Sequence, residues 1–306
     1  MSRPQHIQIV EVGPRDGLQN EDVVLSAAVK AELIMRCMRM GATRIEVASF
    51  VNPKRVPQMA DAEEVLAAVG PAPDGVAHIG LVLNERGLER ALATTIDEVN
   101  LVVGASAAFN RANAGAAPEA TMTEIEAMLP RARAAGLATT VTISVAFGCP
   151  YEGAVAPEAV VALAKRAARA GADEIALGDT IGVAVPDDVR VLVSAVRSVA
   201  NGAALRCHFH DTRNTAIANV SAAIEAGVGV IDAAVGGAGG CPFAPNATGN
   251  VATEDVAYLL GRSGLTTGVD LEATIATGRW LGSRLGTQLP AALGRAGGFP
   301  GSQTDG

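Results

Sequence analysis

Two histidines stand one residue apart in the stretch HFHDT, where His208 and His210 flank Phe209. The chain has only four histidines, so this stretch holds half of them. Alternate side chains of a β-strand point to the same face, which would bring both imidazoles together. Neutral imidazoles are good ligands for a divalent cation, but an isolated His-x-His pair is more often structural. The pair therefore predicts a metal site only in the company of other ligands.

The stretch EVGPRDGLQNE supplies such company near the N-terminus. Arg15 and Asp16 follow Gly13-Pro14, which would end a strand in a turn. Asp16 completes a set of two histidines and one carboxylate, and the permanent charge of Arg15 suits an oxyanion or a carboxylate. Taken alone, PRDG is an ordinary turn sequence. The combination with the histidines is what favours a site.

Two further acids lie in predicted strands or at their ends. Glu46 stands among apolar residues in RIEVASF, ahead of Ser49, and a buried acid needs a partner or a function. A salt bridge to Arg15 is the structural alternative, and both interpretations of Glu46 can hold together. Asp179 and Thr180 end the run LGDTIG, where the alternative for Asp179 is a cap of the next helix.

A glycine-rich segment, residues 236–250, reads GGAGGCPFAPNATGN. Its glycines allow it to open and close over a site, and it carries Cys241, whose thiol could act as an acid or a base. Asn250 ends the segment. The alternative is a flexible surface loop with a cysteine that has no role in the chemistry.

Short runs rich in Val and Ile alternate with helix-like segments, which is typical of repeated βα units and a parallel sheet. Eight runs are predicted strands: 7–12, 44–50, 77–83, 98–104, 139–147, 173–179, 205–210 and 228–235. Eight comparable units favour a (β/α)₈ TIM barrel over a doubly wound sheet, since no Gly-x-Gly-x-x-Gly turn follows the first run. Chemistry in such barrels lies at the carboxyl ends of the strands.

Glycines and prolines mark the expected helix ends. Left-handed glycines are predicted to end four helices, at Gly41, Gly136, Gly171 and Gly227. Helix starts are predicted at Thr121-x-x-Glu124, at Pro157 and at Pro186. An additional C-terminal helix is expected within 265–290. We expect one catalytic domain over 1–290 and a flexible tail over 291–306.

The composition excludes several classes of function. With 24 basic and 32 acidic residues, a net charge of −8 and nine aromatic residues, the chain does not favour nucleic-acid binding. No apolar run is long enough to cross a bilayer, so no membrane association is expected. The four cysteines show no paired spacing, and the N-terminus enters a strand-like run directly. We therefore expect a reduced, cytoplasmic protein.

The motifs quoted above, together with SFVNPKRVPQMAD, GCPYEG and GGCPFAPNATGNVATED, resemble in order and spacing the 3-hydroxy-3-methylglutaryl-CoA lyases. These enzymes belong to a larger group of metal-dependent barrel aldolases and Claisen-type enzymes, and the resemblance extends from about residue 7 to 285. It implies Mg²⁺ or Mn²⁺ held by Asp16, His208, His210 and Asn250, and an acyl-CoA substrate. The family also implies leucine degradation, ketone-body formation and the option of a homodimer.

The resemblance further implies a retro-Claisen cleavage and assigns roles within it. The catalytic residues would be Arg15 at the enolate oxygen, His208 and Asp179 in deprotonation of the substrate hydroxyl, Glu46 in organising Arg15, and Cys241 in proton transfer. The residues expected to contact substrate are Gln19, Ser49, Tyr151 and Thr180. This chain departs from the usual family pattern after HDT, where it has Arg213-Asn214-Thr215, and after the fourth predicted strand.

Several alternatives stay open at this point. The acyl group could be that of citramalyl-CoA or of a longer 3-alkyl homologue. A transferase would run the bond formation instead, condensing acetyl-CoA with a 2-oxo acid, although the GGCPF segment favours a lyase. Asp16 and the two histidines could also form the iron triad of an oxygenase. A barrel that only binds ligands is the least favoured alternative.

Overall fold

Eight parallel strands close into one barrel, in which each strand pairs with its neighbours in chain order. The protein is seen in a computed structural model that describes residues 4–241 and 244–300, with the side chains of residues 241–247 outside the description. The strands are β1 (Gln8–Glu11), β2 (Arg44–Ser49), β3 (Ala77–Val82), β4 (Glu98–Gly104), β5 (Ala138–Ser144), β6 (Glu174–Asp179), β7 (Ala204–Phe209) and β8 (Val230–Ala233). Each strand lies inside a predicted run or extends beyond it by one residue. The predicted TIM barrel is confirmed.

Helices alternate with the strands and cover the outside of the barrel. They are α1 (Ala27–Arg39), α2 (Ala62–Val69), α3 (Glu85–Leu92), α4 (Ala107–Ala114), α5 (Pro118–Ala134), α6 (Pro157–Arg169), α7 (Pro186–Arg197), α8 (Ala216–Glu225), α9 (Thr253–Arg262), α10 (Leu271–Leu285) and α11 (Ala292–Ala296). A short antiparallel pair, β9 (Gly240–Cys241) and β10 (Ala244–Thr248), lies within the glycine-rich segment. Within the described ranges, no helix is long and apolar enough to cross a bilayer.

Six of the seven helix ends predicted from glycines, prolines and capping residues are observed. All four predicted glycine caps have positive φ, between +85° and +95°. The helices α6 and α7 begin at Pro157 and Pro186 as predicted. The predicted start at Thr121 is wrong, because α5 begins at Pro118, whose fixed φ suits the first helical position. The Thr121 hydroxyl instead accepts a hydrogen bond from the Asn110 side chain at 2.7 Å.

The C-terminal region packs additional helices against the barrel. The predicted extra helix within 265–290 is present as α10. The segment 291–306 begins with α11, whose first backbone N–H groups, at Ala292 and Leu293, donate to the Asp255 carboxylate at 2.9 Å each. The domain boundary at 290 and the flexibility of the tail stay predictions, and residues 301–306 lie outside the described residues.

The interior of the barrel holds charged residues in its lower half, near the amino ends of the strands. Arg44 on β2 donates to Glu98 on β4 at 2.7 Å and to Glu174 on β6 at 2.9 Å. These strands are not neighbours, so the three side chains meet inside the barrel. An apolar layer of Val10, Val12, Ile79 and Ala234 packs separately from the large core between barrel and helices.

Candidate active site

The two histidines lie together at the carboxyl end of β7. Their ring centroids are 5.0 Å apart, and Phe209 between them is buried and packs against Phe147. His210 directly follows the strand and pairs its backbone with Asn250, the last residue of the glycine-rich segment. The expected placement of the pair on one face is therefore observed, and Asn250 is brought beside it.

A tight turn after β1 places Arg15 and Asp16 at the same end of the barrel. The backbone N–H groups of Arg15, Asp16 and Gly17 all donate to the carbonyl of Val12, at 3.1, 2.8 and 3.2 Å. Gly17 is closely approached, since a Cβ there would lie 3.2 Å from the Ala238 Cβ. The turn is thus held against the glycine-rich segment, with both charged side chains buried.

Asp16, His208 and His210 form a group whose ligand atoms lie within 4.8 Å of one another. Asp16 Oδ2 is 3.8 Å from Nε2 of His208 and 3.8 Å from Nε2 of His210. This buried oxygen has no hydrogen-bond partner within the described ranges. Burial opposes ionisation of Asp16, but the Arg15 guanidinium and the two imidazoles outweigh it and hold the pKa of the carboxyl well below its usual range.

These spacings suit a shared cation better than hydrogen bonds. Ligands bonded to one ion at about 2.1 Å stand roughly 3 to 4.2 Å apart, and 3.8 Å lies in that interval. Asn250 is buried, and its side-chain nitrogen donates to the carbonyl of Ala238 at 3.1 Å. Because the nitrogen is committed in this way, the amide oxygen is the atom left to act as a ligand. Three of the four predicted ligands therefore meet in one place, and the backbone bridge to His210 brings Asn250 beside them.

Arg15 is fixed by carboxylates on two sides. Its Nε donates to Glu46 Oε2 at 2.6 Å, and its Nη1 forms an ion pair with Asp16. The other oxygen of Glu46 accepts a hydrogen bond from Asn100 at 2.9 Å. The predicted salt bridge between Glu46 and Arg15 is confirmed, and it holds the guanidinium next to the candidate metal ligands.

Asp232, which the sequence analysis missed, contacts His208 from β8. The two residues are register partners, and His208 Nδ1 lies 3.2 Å from Asp232 Oδ2. The other Asp232 oxygen lies 3.4 Å from Nε of the fully buried Arg206, which also lies 3.3 Å from Glu174. A carboxylate on Nδ1 favours the tautomer in which Nε2 is free to bind a metal.

The ion pairs inside the barrel form two groups that meet at His208, which lies 3.2 Å from Asp232 and 3.8 Å from Asp16. Their charged members are five carboxylates and three guanidinium groups: Glu98, Glu174 and Asp232 with Arg44 and Arg206, and Asp16 and Glu46 with Arg15. With every member ionised, the carboxylates outnumber the guanidinium groups by two, and burial raises the pKa of one of them, Glu46, against the opposing effect of Arg15.

The Asp179 carboxylate accepts hydrogen bonds from the loop that follows β6. Its two carboxylate oxygens accept the N–H groups of Val183 at 2.9 Å and Ala184 at 3.1 Å. Burial raises its pKa although these bonds and the two histidines oppose the rise. The Thr180 hydroxyl accepts a hydrogen bond from the N–H of Val145 at 2.9 Å. The predicted cap of the next helix is not observed, because Asp179 bonds the loop ahead of α7, whose N-cap position is occupied by Val185. Both Asp179 oxygens keep lone pairs.

The remaining predicted residues are placed with fewer contacts. Ser49 is fully buried, and its hydroxyl, like the buried Gln19 Oε1, has no hydrogen-bond partner in the described parts of the chain. Tyr151 is 54% exposed, with its ring centroid 6.5 Å from that of Phe109. The side chain of Cys241 lies outside the described residues, and its backbone pairs with Ala244.

Comparison with known proteins shows the family to which the chain belongs. The family model described as HMGL-like matches residues 6–280. The (R)-citramalyl-CoA lyase of Chloroflexus aurantiacus is 44% identical over 300 residues, covering 95% of each chain. The hydroxymethylglutaryl-CoA lyase of Pseudomonas mevalonii is 44% identical over 292 residues, covering 95% of this chain and 97% of that protein.

A solved structure agrees over nearly the whole chain. The HMG-CoA lyase of Acinetobacter baumannii, in complex with coenzyme A and 3-methylmalate, superposes with a TM-score of 0.92 at 36% identity, covering 98% of this chain and 97% of that one. The predicted family is confirmed by both kinds of comparison. The chain therefore belongs to the HMGL-like family and is a carbon–carbon lyase.

Proposed function

We propose that the protein is a divalent-metal-dependent lyase that cleaves 3-hydroxy-3-methylglutaryl-CoA to acetyl-CoA and acetoacetate by a retro-Claisen reaction. The observation that carries the proposal is the unpartnered Asp16 oxygen, 3.8 Å from Nε2 of both His208 and His210. The relatives named as lyases of CoA thioesters support a substrate of that class.

Mg²⁺ or Mn²⁺ fits the donor set of one carboxylate, two imidazoles and the Asn250 amide. Oxygen and imidazole ligands suit these ions, and four protein ligands leave open positions in an octahedral site. When bound, such an ion acidifies a coordinated hydroxyl and orients the substrate oxygens.

Arg15 would stabilise the enolate of acetyl-CoA that remains when C2 and C3 of the substrate separate. Glu46 and Asp16 hold the guanidinium in one orientation, so its donors need no rearrangement as the enolate charge develops. A permanent positive charge in a buried site stabilises an oxyanion more strongly than it would in water.

Asp179 would accept the proton of the substrate hydroxyl. His208 Nε2 is the candidate metal ligand, so His208 would act in deprotonation by orienting the hydroxyl, while Asp179 takes up the proton. Burial raises the pKa of Asp179, which makes the carboxylate a stronger base. We assign the return of a proton to the enolate carbon to Cys241, as the family resemblance implies.

A second candidate substrate is (R)-citramalyl-CoA, because relatives named for each reaction share 44% identity with this chain. The two thioesters differ by one methylene, and citramalyl-CoA would give pyruvate in place of acetoacetate. Gln19, Ser49, Tyr151 and Thr180 are the residues we expect to contact either substrate. The homodimer, the cytoplasmic location and the role in leucine degradation and ketone-body formation stay predictions.

The test is a panel of 3-hydroxyacyl-CoA thioesters incubated with purified protein and Mg²⁺ or Mn²⁺, with the keto products identified by mass. We expect acetoacetate from 3-hydroxy-3-methylglutaryl-CoA, loss of activity with chelator, and loss in Asp16→Ala and His208→Ala. Pyruvate from citramalyl-CoA as the faster product would favour the second candidate. Full activity of both variants in chelator would refute the metal-dependent mechanism.

Two further assays separate the remaining classes. CoA release from acetyl-CoA in the presence of 2-oxo acids, with no thioester cleavage, would favour the transferase. Oxygen consumption with Fe²⁺ would favour the oxygenase.

A further inference from the structure

One peptide unit in the glycine-rich segment connects Asn250 to a charged residue on the opposite side. The carbonyl of Ala238 accepts the hydrogen bond from Asn250 Nδ2 at 3.1 Å. The N–H of Gly239 belongs to the same peptide unit, and it donates to Glu21 Oε1 at 3.0 Å. A carboxylate on the N–H polarises the peptide and makes its carbonyl a better acceptor. Glu21 therefore acts on the Asn250 amide through a single peptide.

This peptide is tightly packed between two candidate metal ligands. Gly239 has φ of +97°, and a Cβ there would lie 3.0 Å from Asn250 Nδ2 and 3.2 Å from the Asp16 carbonyl oxygen. Across the segment, a Cβ on Gly249 would lie 2.1 Å from the Gly239 carbonyl oxygen. A rotation of the peptide would thus displace Asn250 and press on Asp16.

Glu21 is itself anchored from the loop after β2. Gln58 donates its side-chain amide to the Glu21 carbonyl at 2.8 Å. The backbone carbonyl of Gln58 accepts from the buried Lys30 ammonium at 2.5 Å, and the same ammonium forms an ion pair with Asp61 at 2.5 Å. The Glu21 backbone is therefore fixed before its carboxylate contacts the peptide.

We propose that Glu21 is a positioning residue that orients the Asn250 amide for metal binding through the peptide between Ala238 and Gly239. The inference rests on the proposed metal centre and assigns a new residue to it. Within the described part of the chain, the Glu21 carboxylate bonds the Gly239 N–H and is not among the grouped ligand atoms, so its removal weakens the metal site without removing a ligand.

The test compares Mn²⁺ affinity, measured by calorimetry on chelator-stripped protein, in wild type, Glu21→Ala, Glu21→Gln and Asp22→Ala. Loss of a residue that orients a metal ligand typically lowers affinity about 10-fold or more, and we expect that loss for Glu21→Ala. Glu21→Gln keeps an acceptor oxygen and should keep most of the affinity. Asp22→Ala removes the same charge from the exposed neighbouring residue and should leave the affinity unchanged.

A second measurement separates positioning from a general structural role. Lyase activity of Glu21→Ala should recover toward the wild-type value at saturating Mn²⁺, and melting of the metal-free variant should match that of metal-free wild type. Wild-type Mn²⁺ affinity in Glu21→Ala, or an equal loss in Asp22→Ala, overturns the inference. Wild-type Mn²⁺ binding without thioester cleavage would refute the proposed reaction and leave the role of Glu21 intact.

Discussion

Replacing Asp232 by Asn tests whether the carboxylate behind His208 sets the affinity of the metal site. Asp232 Oδ2 lies 3.2 Å from His208 Nδ1, and both side chains are largely buried, at 7% and 12% exposure. The substitution keeps the shape of the side chain but removes the charge that favours the proton on Nδ1. The imidazole can then carry its proton on Nε2, where it blocks metal binding.

The expected loss follows from the strength of this contact. A hydrogen bond to a charged, buried acceptor contributes about 1.5 to 3 kcal/mol. If this energy no longer favours the metal-binding tautomer of His208, metal affinity falls about 10- to 100-fold. That range agrees with the usual effect of removing a carboxylate that bonds a metal-bound histidine. Arg206 keeps Glu174 as a partner at 3.3 Å, so the variant leaves no isolated guanidinium.

The assay is calorimetric titration of Mn²⁺ into chelator-stripped Asp232→Asn and wild type. Asp173→Asn is the matched control, since Asp173 accepts hydrogen bonds from Thr139 just before β6, at the opposite end of the barrel, and should not alter the affinity. Equal affinities of Asp232→Asn and wild type would refute the reasoning that Asp232 fixes the tautomer of His208.

Three other predictions concern stability and the glycine-rich segment. Burial lowers the pKa of His78, whose ring nitrogens have no described hydrogen-bond partner, so below about pH 6.5 the unfolded state binds the proton first and the free energy of unfolding falls. Denaturant unfolding of His78→Leu should therefore show a smaller fall in the free energy of unfolding between about pH 7 and 5 than wild type, and an equal fall would contradict this. Gly249→Ala forces its Cβ to 2.1 Å from the Gly239 carbonyl oxygen, so titration should show impaired Mn²⁺ binding, whereas Gly240→Ala, with nothing within 4 Å, should bind normally. Adding Mn²⁺ at 100 times its Kd should stabilise the folded protein by about 2.7 kcal/mol, and unchanged melting after chelation would contradict a folded-state metal site.

The barrel could be predicted because its signals are local. Apolar runs of strand length, and glycines such as Gly41 and Gly171 at positive φ, each depend on a few neighbouring residues. The wrong start at Thr121 arose where two local signals competed, and the proline at the first helical position prevailed over the capping sequence.

The residues that position the metal ligands, Asp232 and Glu21, could not be predicted from such local signals. The contact of His208 with Asp232 depends on the register of β7 and β8, which is set only when the barrel closes. A usable signal was present, since Asp232 is an acid in an apolar strand, as Glu46 is. Glu21 carries no such signal, because its contact with Gly239 joins residues 218 positions apart.

The interior of the barrel contains charged groups that are costly to bury. Replacing buried ion pairs by apolar residues of similar size is often neutral or stabilising, so stability alone does not account for them. In the lower layer, which consists of Arg44, Glu98 and Glu174, both carboxylates bond the guanidinium, so these charges largely compensate one another. Asp232 differs, because it connects that layer, through Arg206, to His208. The lower layer thus fixes the position of Asp232, and Asp232 fixes the imidazole on which the proposed chemistry depends.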